Sequence, residues 1–507
     1  VSGTVHPHQG IGLESPASPG AGRATAVLIS TYELGHQPFG LASPAAWLRR
    51  EGIPTRLYDL AKEKLDEPTI RTAMLVAFHL PMHTATRLAA PVIKRIRAEN
   101  PAARICAYGL YAPLNAEWLR SIGVDDVLGG EFEEELTEIA REACRGDGPR
   151  QGGGPSPNKV RPGITQRTNP AQYGPDLIGS AAVLPKLHFL VPDRSGLPPL
   201  NRYSTLVFGD GTRRVVGHTE ASRGCRHLCR HCPVVPVYNG QFRVVSQDVV
   251  LSDIEAQVAG GAEHITFGDP DFFNGPTHAV RIVEQLHQRH PAVTYDVTIK
   301  VEHLLEHREL IPRLGSTGCL FITSAVESID DRVLAILDKG HTREDFVEAV
   351  RLTRESGVAL APTFVAFHPW TTLEGYADLL QLLADLELVN HVAPIQLAIR
   401  LLIPGGSRLL DVQDVAALVG PFDPNTLTYR WAHTDPRVDQ LQREIADIVG
   451  RRLVSDRAEV FGEIARLVHE RTGRPLVRAT ASGVWVPHLD EPWYCCAEPN
   501  PDQLRLV

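Results

Sequence analysis

The 507-residue sequence is sparing with cysteine: it has eight. A chain this long builds a core without covalent staples, so a disulfide framework is excluded as its organising feature. Long apolar runs are also missing. None reaches the roughly 18 to 20 residues of a membrane span. Positive charge is not in excess, since 51 Lys and Arg face 60 Asp and Glu and leave a net charge of -9. That balance argues against general affinity for nucleic acid or an anionic membrane surface. The first residues, VSGTVHPHQGIGLESPASPGAG, lack the basic start and apolar centre of a secretion signal. Residues 1–23 therefore read as a disordered arm. The expectation is a cytoplasmic protein with no membrane or nucleic-acid partner, in a reducing compartment where clustered cysteines serve metal or redox chemistry.

From Ala24 the chain becomes regular. TAVLIS, PTRLYDL, TAMLVAF and ARICAYG are short apolar runs suited to buried strands, with helical patterns between them. Leu88, Val92 and Ile96 recur every four residues and make one apolar face. Alternation of this kind predicts a doubly wound, flavodoxin-like α/β domain over residues 24–145. Residues 146–214 open with RGDGPRQGGGPSPNKVRPG, which cannot build a core, and read as a linker. Over residues 215–410, helical segments alternate with HITFG, VTYDVTI, CLFITSA, VALAPTFVAF and APIQLAI. With the strand before them this gives about six βα units, enough for a partial (β/α)6 barrel. Pro276 is placed to open a helix, Thr342 and Asp345 have capping-box spacing, and Gly357 can end the helix between. Residues 411–507 look mixed and mainly helical.

Three of the eight cysteines lie together in RGCRHLCRHCP. Cys225, Cys229 and Cys232 have the spacing C-x3-C-x2-C. Three close thiolates can hold three irons of a [4Fe-4S] cube and leave the fourth iron open to a ligand. Zinc is the competing reading, with His227 or His231 as a fourth donor.

TEASRGCRHLCRHCP resembles the signature loop of the radical SAM enzymes. ITFGDPDFF, FITSAVESIDDRVLAILDKGHT, FVAFHPWTTLEGY and LLIPGGSRL are similar, in order, to later strand-end motifs of that family. The resemblance implies a [4Fe-4S] cluster on the three cysteines and S-adenosylmethionine (SAM) bound at the open iron. It implies that Asp269 and Asp271 lie near the methionine amino group, Lys300 near its carboxylate, Glu327 on the ribose hydroxyls and His231 near adenine. A small-molecule substrate and a flavodoxin- or ferredoxin-type electron donor follow as partners.

In the radical SAM class with this layout the first domain resembles a cobalamin-binding domain. Gly109, Gly129 and Gly130 are candidate points of close approach for a corrin. The D-x-H-x-x-G motif that gives cobalt a histidine is absent. His36 is nearby, but Leu34 and Phe39 occupy the other two positions. Both histidine-off cobalamin binding and a domain that binds no corrin fit this pattern. The tail WYCCAEP resembles that of a radical SAM group marked by a C-terminal CUAEP or CCAEP sequence, some members having selenocysteine where Cys495 stands here. Adjacent thiols at Cys495 and Cys496 suit a thiophilic element such as trivalent arsenic, or a reversible sulfur–sulfur bond, and are candidate catalytic groups. The reading is a radical SAM enzyme, transferase-like, that modifies a small molecule, with carbon–arsenic bond formation as the first candidate. Its alternatives are a cobalamin-dependent methyltransferase and, from another class, a non-catalytic zinc-binding module.

Overall fold

The computed structural model describes residues 26–145, 187–452, 456–478, 486–491 and 497–498. The expected arm and residues 146–186 of the expected linker lie outside them.

Five parallel strands build the first sheet: β1 (Ala26–Ser30), β2 (Thr55–Asp59), β3 (Leu75–His79), β4 (Arg104–Tyr108) and β5 (Asp126–Leu128), in the order β2-β1-β3-β4-β5. β1 and β3 are buried at every position, which is why they read as continuous apolar runs. The helix His83–Glu99 lays Leu88, Val92 and Ile96 against the sheet, all buried. The strand order reverses between β1 and β3. Loops leaving their carboxyl ends diverge there and open the crevice where such sheets bind ligands.

The second sheet begins with β6 (Thr205–Val207) and β7 (Arg213–Thr219). A small antiparallel pair follows, β8 (Ser222–Gly224) with β9 (Phe242–Val244). Then come β10 (His264–Phe267), β11 (Thr294–Thr298), β12 (Cys319–Glu327) and β13 (Ala359–Phe364). Strands β7, β10, β11, β12 and β13 are parallel neighbours, each reached through a helical crossover. The local signals hold. Pro276 opens the helix Pro276–Arg289, Thr342 and Asp345 close a reciprocal capping box, and Gly357 has a φ of 71° just past that helix.

The expected sixth strand, APIQLAI, does not form. Residues Pro394–Leu397 make a 3₁₀ turn, and only one bridge, Phe367 to Arg400, continues the pattern. The cause is local. Pro394 opens the turn, and the Gln396 side-chain carbonyl takes the Phe364 N–H at 3.0 Å, where a sixth strand would offer backbone. The result is an open half-barrel.

After a ribbon of β14 (Val419–Asp423) and β15 (Thr428–Trp431), the helices Pro436–Arg451 and Arg457–Thr472 pack together, the second also against the helix Leu373–Asp385. β16 (His488–Leu489) adds antiparallel to β6 at the sheet edge. Among the described residues, no helix is long and apolar enough to cross a membrane.

Candidate active site

The cysteines follow β8, and the glycine before them has a steric reason. Gly224 has a φ of 76°, and a Cβ there would stand 2.5 Å from the Gln241 carbonyl. Cys229 is buried and Cys225 and Cys232 half-buried, none in a disulfide. Burial pushes the Cys225 thiol up to about 11 and the Cys232 thiol up to about 12. Three gathered thiols, at least two of which resist ionisation on their own, suit a metal, whose charge would hold them as thiolates. The donor set therefore fits the three-cysteine cluster that the spacing implies.

The loop is tied down from behind. Asp269 accepts from the Ala221 N–H at 2.9 Å and the Ser222 hydroxyl at 2.5 Å. Burial, opposed by these two bonds, raises its carboxyl to about 7. Asn274 accepts from the Arg226 N–H and donates to the Gly224 carbonyl. Asp271 Oδ2 lies 2.8 Å from His303 Nδ1 and 3.5 Å from His227 Nε2. One donor atom from each of these three residues lies within 4.8 Å of the others, a set that could also hold a divalent ion. Lys300 pairs with Glu302 at 2.8 Å and with His227 Nδ1 at 3.1 Å.

Glu327 ends β12, at a register shift against β13. Its φ is 70°, the left-handed region that a non-glycine residue seldom occupies. Its carboxylate meets His231 at 3.1 Å and the buried Lys339 ammonium at 3.5 Å. Burial alone would raise its pKa, but Lys339 and His231 overcome it and hold the group at about 2. An ionised carboxylate thus stands at the strand ends beside the cysteine loop, where a ligand's hydroxyls could donate to it.

A cavity of about 510 Å³ joins the two sheets. On one side it meets the loops after β1, β3, β4 and β5, at the switch point. On the other it runs into the half-barrel lumen and past Glu220, Gly224 and Asp269 beneath the cysteine loop. His36 lines it, but its ring stacks on His218 with centroids 4.6 Å apart. Residues 486–491 complete one wall, with Tyr32 donating to Glu491 at 2.9 Å. Beyond them, the Ala497 carbonyl accepts from Thr84, and Glu498 pairs with Arg87 at 2.6 Å and His83 at 3.3 Å.

The expected site residues are thus distributed unevenly. Cys225, Cys229, Cys232, His231 and Glu327 gather at one end of the half-barrel. Asp269, Asp271 and Lys300 stand beside them, each with protein partners of its own. Of the three glycines, Gly109 and Gly130 line the cavity, whereas Gly129 packs on Pro113. Cys495 and Cys496 lie outside the described residues. Sequence reasoning missed Lys339 as a partner of Glu327, although it begins the Lys-Gly turn of a quoted motif. It also missed His303 and Arg223. The Arg223 guanidinium is buried against Glu133 at 2.6 Å, Glu220 at 2.7 Å and Glu131 at 3.4 Å, and so joins the cysteine loop to the first domain.

A half-barrel of parallel strands with three cysteines after its first strand and a carboxylate at the end of its fourth defines the class. Residues 219–383 match the model of the Radical SAM superfamily, and the chain carries a radical SAM domain there. Among curated proteins it is 26% identical over 193 residues to tRNA-2-methylthio-N(6)-dimethylallyladenosine synthase of Desulfosudis oleivorans, covering 36% of this chain and 40% of that one. It is 23% identical over 290 residues to the ribosomal protein uS12 methylthiotransferase RimO of Acidithiobacillus ferrooxidans, covering 51% and 59%. The chain thus spans about two fifths to three fifths of these relatives. In fold it is similar to the radical S-adenosylmethionine methyltransferase TsrM of Kitasatospora setae, with a TM-score of 0.53, 19% identity and coverage of 72% and 70%. It is also similar to OxsB, a cobalamin-dependent S-adenosylmethionine radical enzyme, with a TM-score of 0.63, 14% identity and coverage of 84% and 66%.

Proposed function

We propose that this protein is a radical SAM enzyme that uses cobalamin to transfer a methyl or related group to a small molecule held in the central cavity. The observation that carries the reading is the cavity itself, which joins a doubly wound sheet's switch point to the lumen of a radical SAM half-barrel. Support comes from the TsrM and OxsB structures, which hold cobalamin and share this fold. Residues 24–145 would serve as the cobalamin domain, 215–410 as the radical SAM barrel and 411–507 as a capping region.

Cys225, Cys229 and Cys232 would hold a [4Fe-4S] cluster, and Glu327, kept ionised by Lys339, would accept hydrogen bonds from the ribose hydroxyls of SAM. With these groups bound, the site gains a one-electron reductant and a transferable methyl or alkyl group. Asp269 keeps the base of the cysteine loop rigid, and Asp271 with His227 and His303 does the same for its middle. His231 would flank the adenine, and Lys300 would orient His227. Gly109 and Gly130 line the cavity where a corrin would lie, and Gly40 makes room for the His79 ring beside them. His36 is held against His218, which favours a corrin without a histidine on cobalt. The tail thiols Cys495 and Cys496 remain candidate groups for a soft heteroatom such as arsenic. Methyl transfer has the cavity as additional support, and the arsenic reading does not.

Anaerobic reconstitution with iron, sulfide and hydroxocobalamin tests the proposal. The expected protein carries about four irons, binds one cobalamin and cleaves or demethylates SAM when reduced. Zinc in place of iron, with no SAM turnover, would return the chain to the non-catalytic module.

A further inference from the structure

The half-barrel lumen carries polar groups among apolar ones. Along β10, β11, β12 and β13, Thr266, Asp296, Thr298, Thr323 and Thr363 line the cavity beside Phe267, Phe321, Ala361 and Pro362. A barrel that served only as a packed support would fill these positions with branched apolar side chains.

Two charges define the ends of this lining. Asp296 is buried, and its Oδ1 accepts from Thr266 at 2.6 Å and from the fully buried His264 Nε2 at 2.9 Å. His264 is fixed in turn by Thr294 on its other nitrogen, at 2.8 Å, and by the parallel Phe321 ring. All of these contacts use one carboxylate oxygen. Oδ2 has no protein partner among the described residues, so one oxygen of a cavity-lining carboxyl group is left for a ligand. Arg457 lines the same cavity from the helix Arg457–Thr472. Its Nη1 donates to the Asn390 carbonyl at 2.9 Å, and among the described residues no carboxylate lies at ion-pair distance. Burial pushes its pKa down to about 10. Arg457 is half-buried, with the charge of Asp456 opposing that shift only in part, and a guanidinium so withdrawn from water favours a ligand that brings an anion into contact with it. Beside it, Gln396 is 1% exposed, and its amide nitrogen has no hydrogen-bond partner although it faces the cavity.

We infer that the lumen binds a small zwitterion, its anionic group at Arg457 and Gln396 and its ammonium group at Asp296. The ligand class is an amino acid or an ω-amino acid. This rests on the proposed function only in treating the ligand as the substrate; the binding itself is independent of any reaction. The two ends recognise opposite charges, so a plain anion or a plain amine satisfies only one of them and leaves the other without a ligand partner.

The test is calorimetric titration of the anaerobically reconstituted holoprotein with the standard L-amino acids and the unbranched ω-amino acids. Each is paired with its N-acetyl and carboxamide derivatives. At least one zwitterion is expected to bind, and either blocking group should weaken it tenfold or more. Asp296→Asn should abolish the penalty for N-acetylation, and Arg457→Gln the penalty for the carboxamide. Where a variant does not fold, the blocked ligands probe the same contact in the unsubstituted protein. Absence of binding throughout the panel, or binding indifferent to both blocking groups, would overturn the inference. SAM turnover by the unsubstituted holoprotein reports separately on the radical reading. Zwitterion binding without turnover would remove that reading and leave this one, and turnover without zwitterion binding the reverse.

Discussion

Asp59, at the end of β2, carries a titration unlike that of its neighbours. Burial raises its carboxyl from 3.8 to about 7, with the Ala61 N–H opposing at 3.0 Å. Between those values the folded chain keeps a proton that the unfolded chain has lost. Stability therefore falls as pH rises across that window and levels off above about 7, with a slope approaching about 1.4 kcal/mol per pH unit. Asp269 and Glu131, raised to about 7 as well, add the same kind of slope, so Asp59→Asn should remove one group's share of it, which urea unfolding of variant and parent at about pH 5 and about pH 7.5 would read. Glu327 titrates the other way and is ionised throughout. Replacement by Gln should weaken SAM binding by roughly 1.5 to 3 kcal/mol, the scale of hydrogen bonds to charged groups. Calorimetry with unchanged affinity would move it to a structural role. At this scale the sequence was legible where chemistry is local. The three thiols sit within eight positions, and Glu327 ends an apolar run. Arg457 and the His264–Asp296 pair were not, because their meaning depends on partners or on a cavity that only the fold creates. The alternation of polar residues in HIT and TYDVT was the available signal for the lumen.

Elements were legible when a single physical cause fixed them. Buried parallel strands announced themselves as apolar runs, and a proline, a capping box and a glycine marked helix ends correctly. APIQLAI has the composition of a strand and fails to become one, because Gln396 takes the Phe364 N–H that strand pairing would need. That contest between side chain and backbone is invisible in composition. The β8–β9 pair was also unread, its strands being three residues each. It nevertheless braces the cysteine loop. Gly224→Ala would force a side chain into a left-handed backbone and against the Gln241 carbonyl. Iron retained per chain should fall by at least about half, although all three thiols remain, at a backbone cost of about 1 kcal/mol or more. Full iron loading in this variant would show that the pair does not set the loop.

At the scale of the molecule, the two sheets are joined by a buried charge cluster. Arg223 meets three carboxylates and the faces of Phe39, Phe132 and Phe189. Burial lifts Glu131 to about 7, with Arg223 pulling it back. Arg223→Met would leave buried acids without a counter-charge, a loss of roughly 3 to 5 kcal/mol. Scanning calorimetry should show a lower Tm, partly restored by adding Glu131→Gln and Glu133→Gln. An unchanged Tm would mean that the first domain is held by other contacts. The cavity's last wall has a different history. Glu491 bonds to Tyr32 across 459 positions, and Glu498 to Arg87 across 411. A ribosome emits the chain from one end, so the cysteines, Glu327 and every strand of the two sheets except β16 are outside before this wall exists. The nascent protein is a vessel without its final side. Until the Tyr32–Glu491 and Arg87–Glu498 contacts form, the cavity lacks this wall and is open on that side.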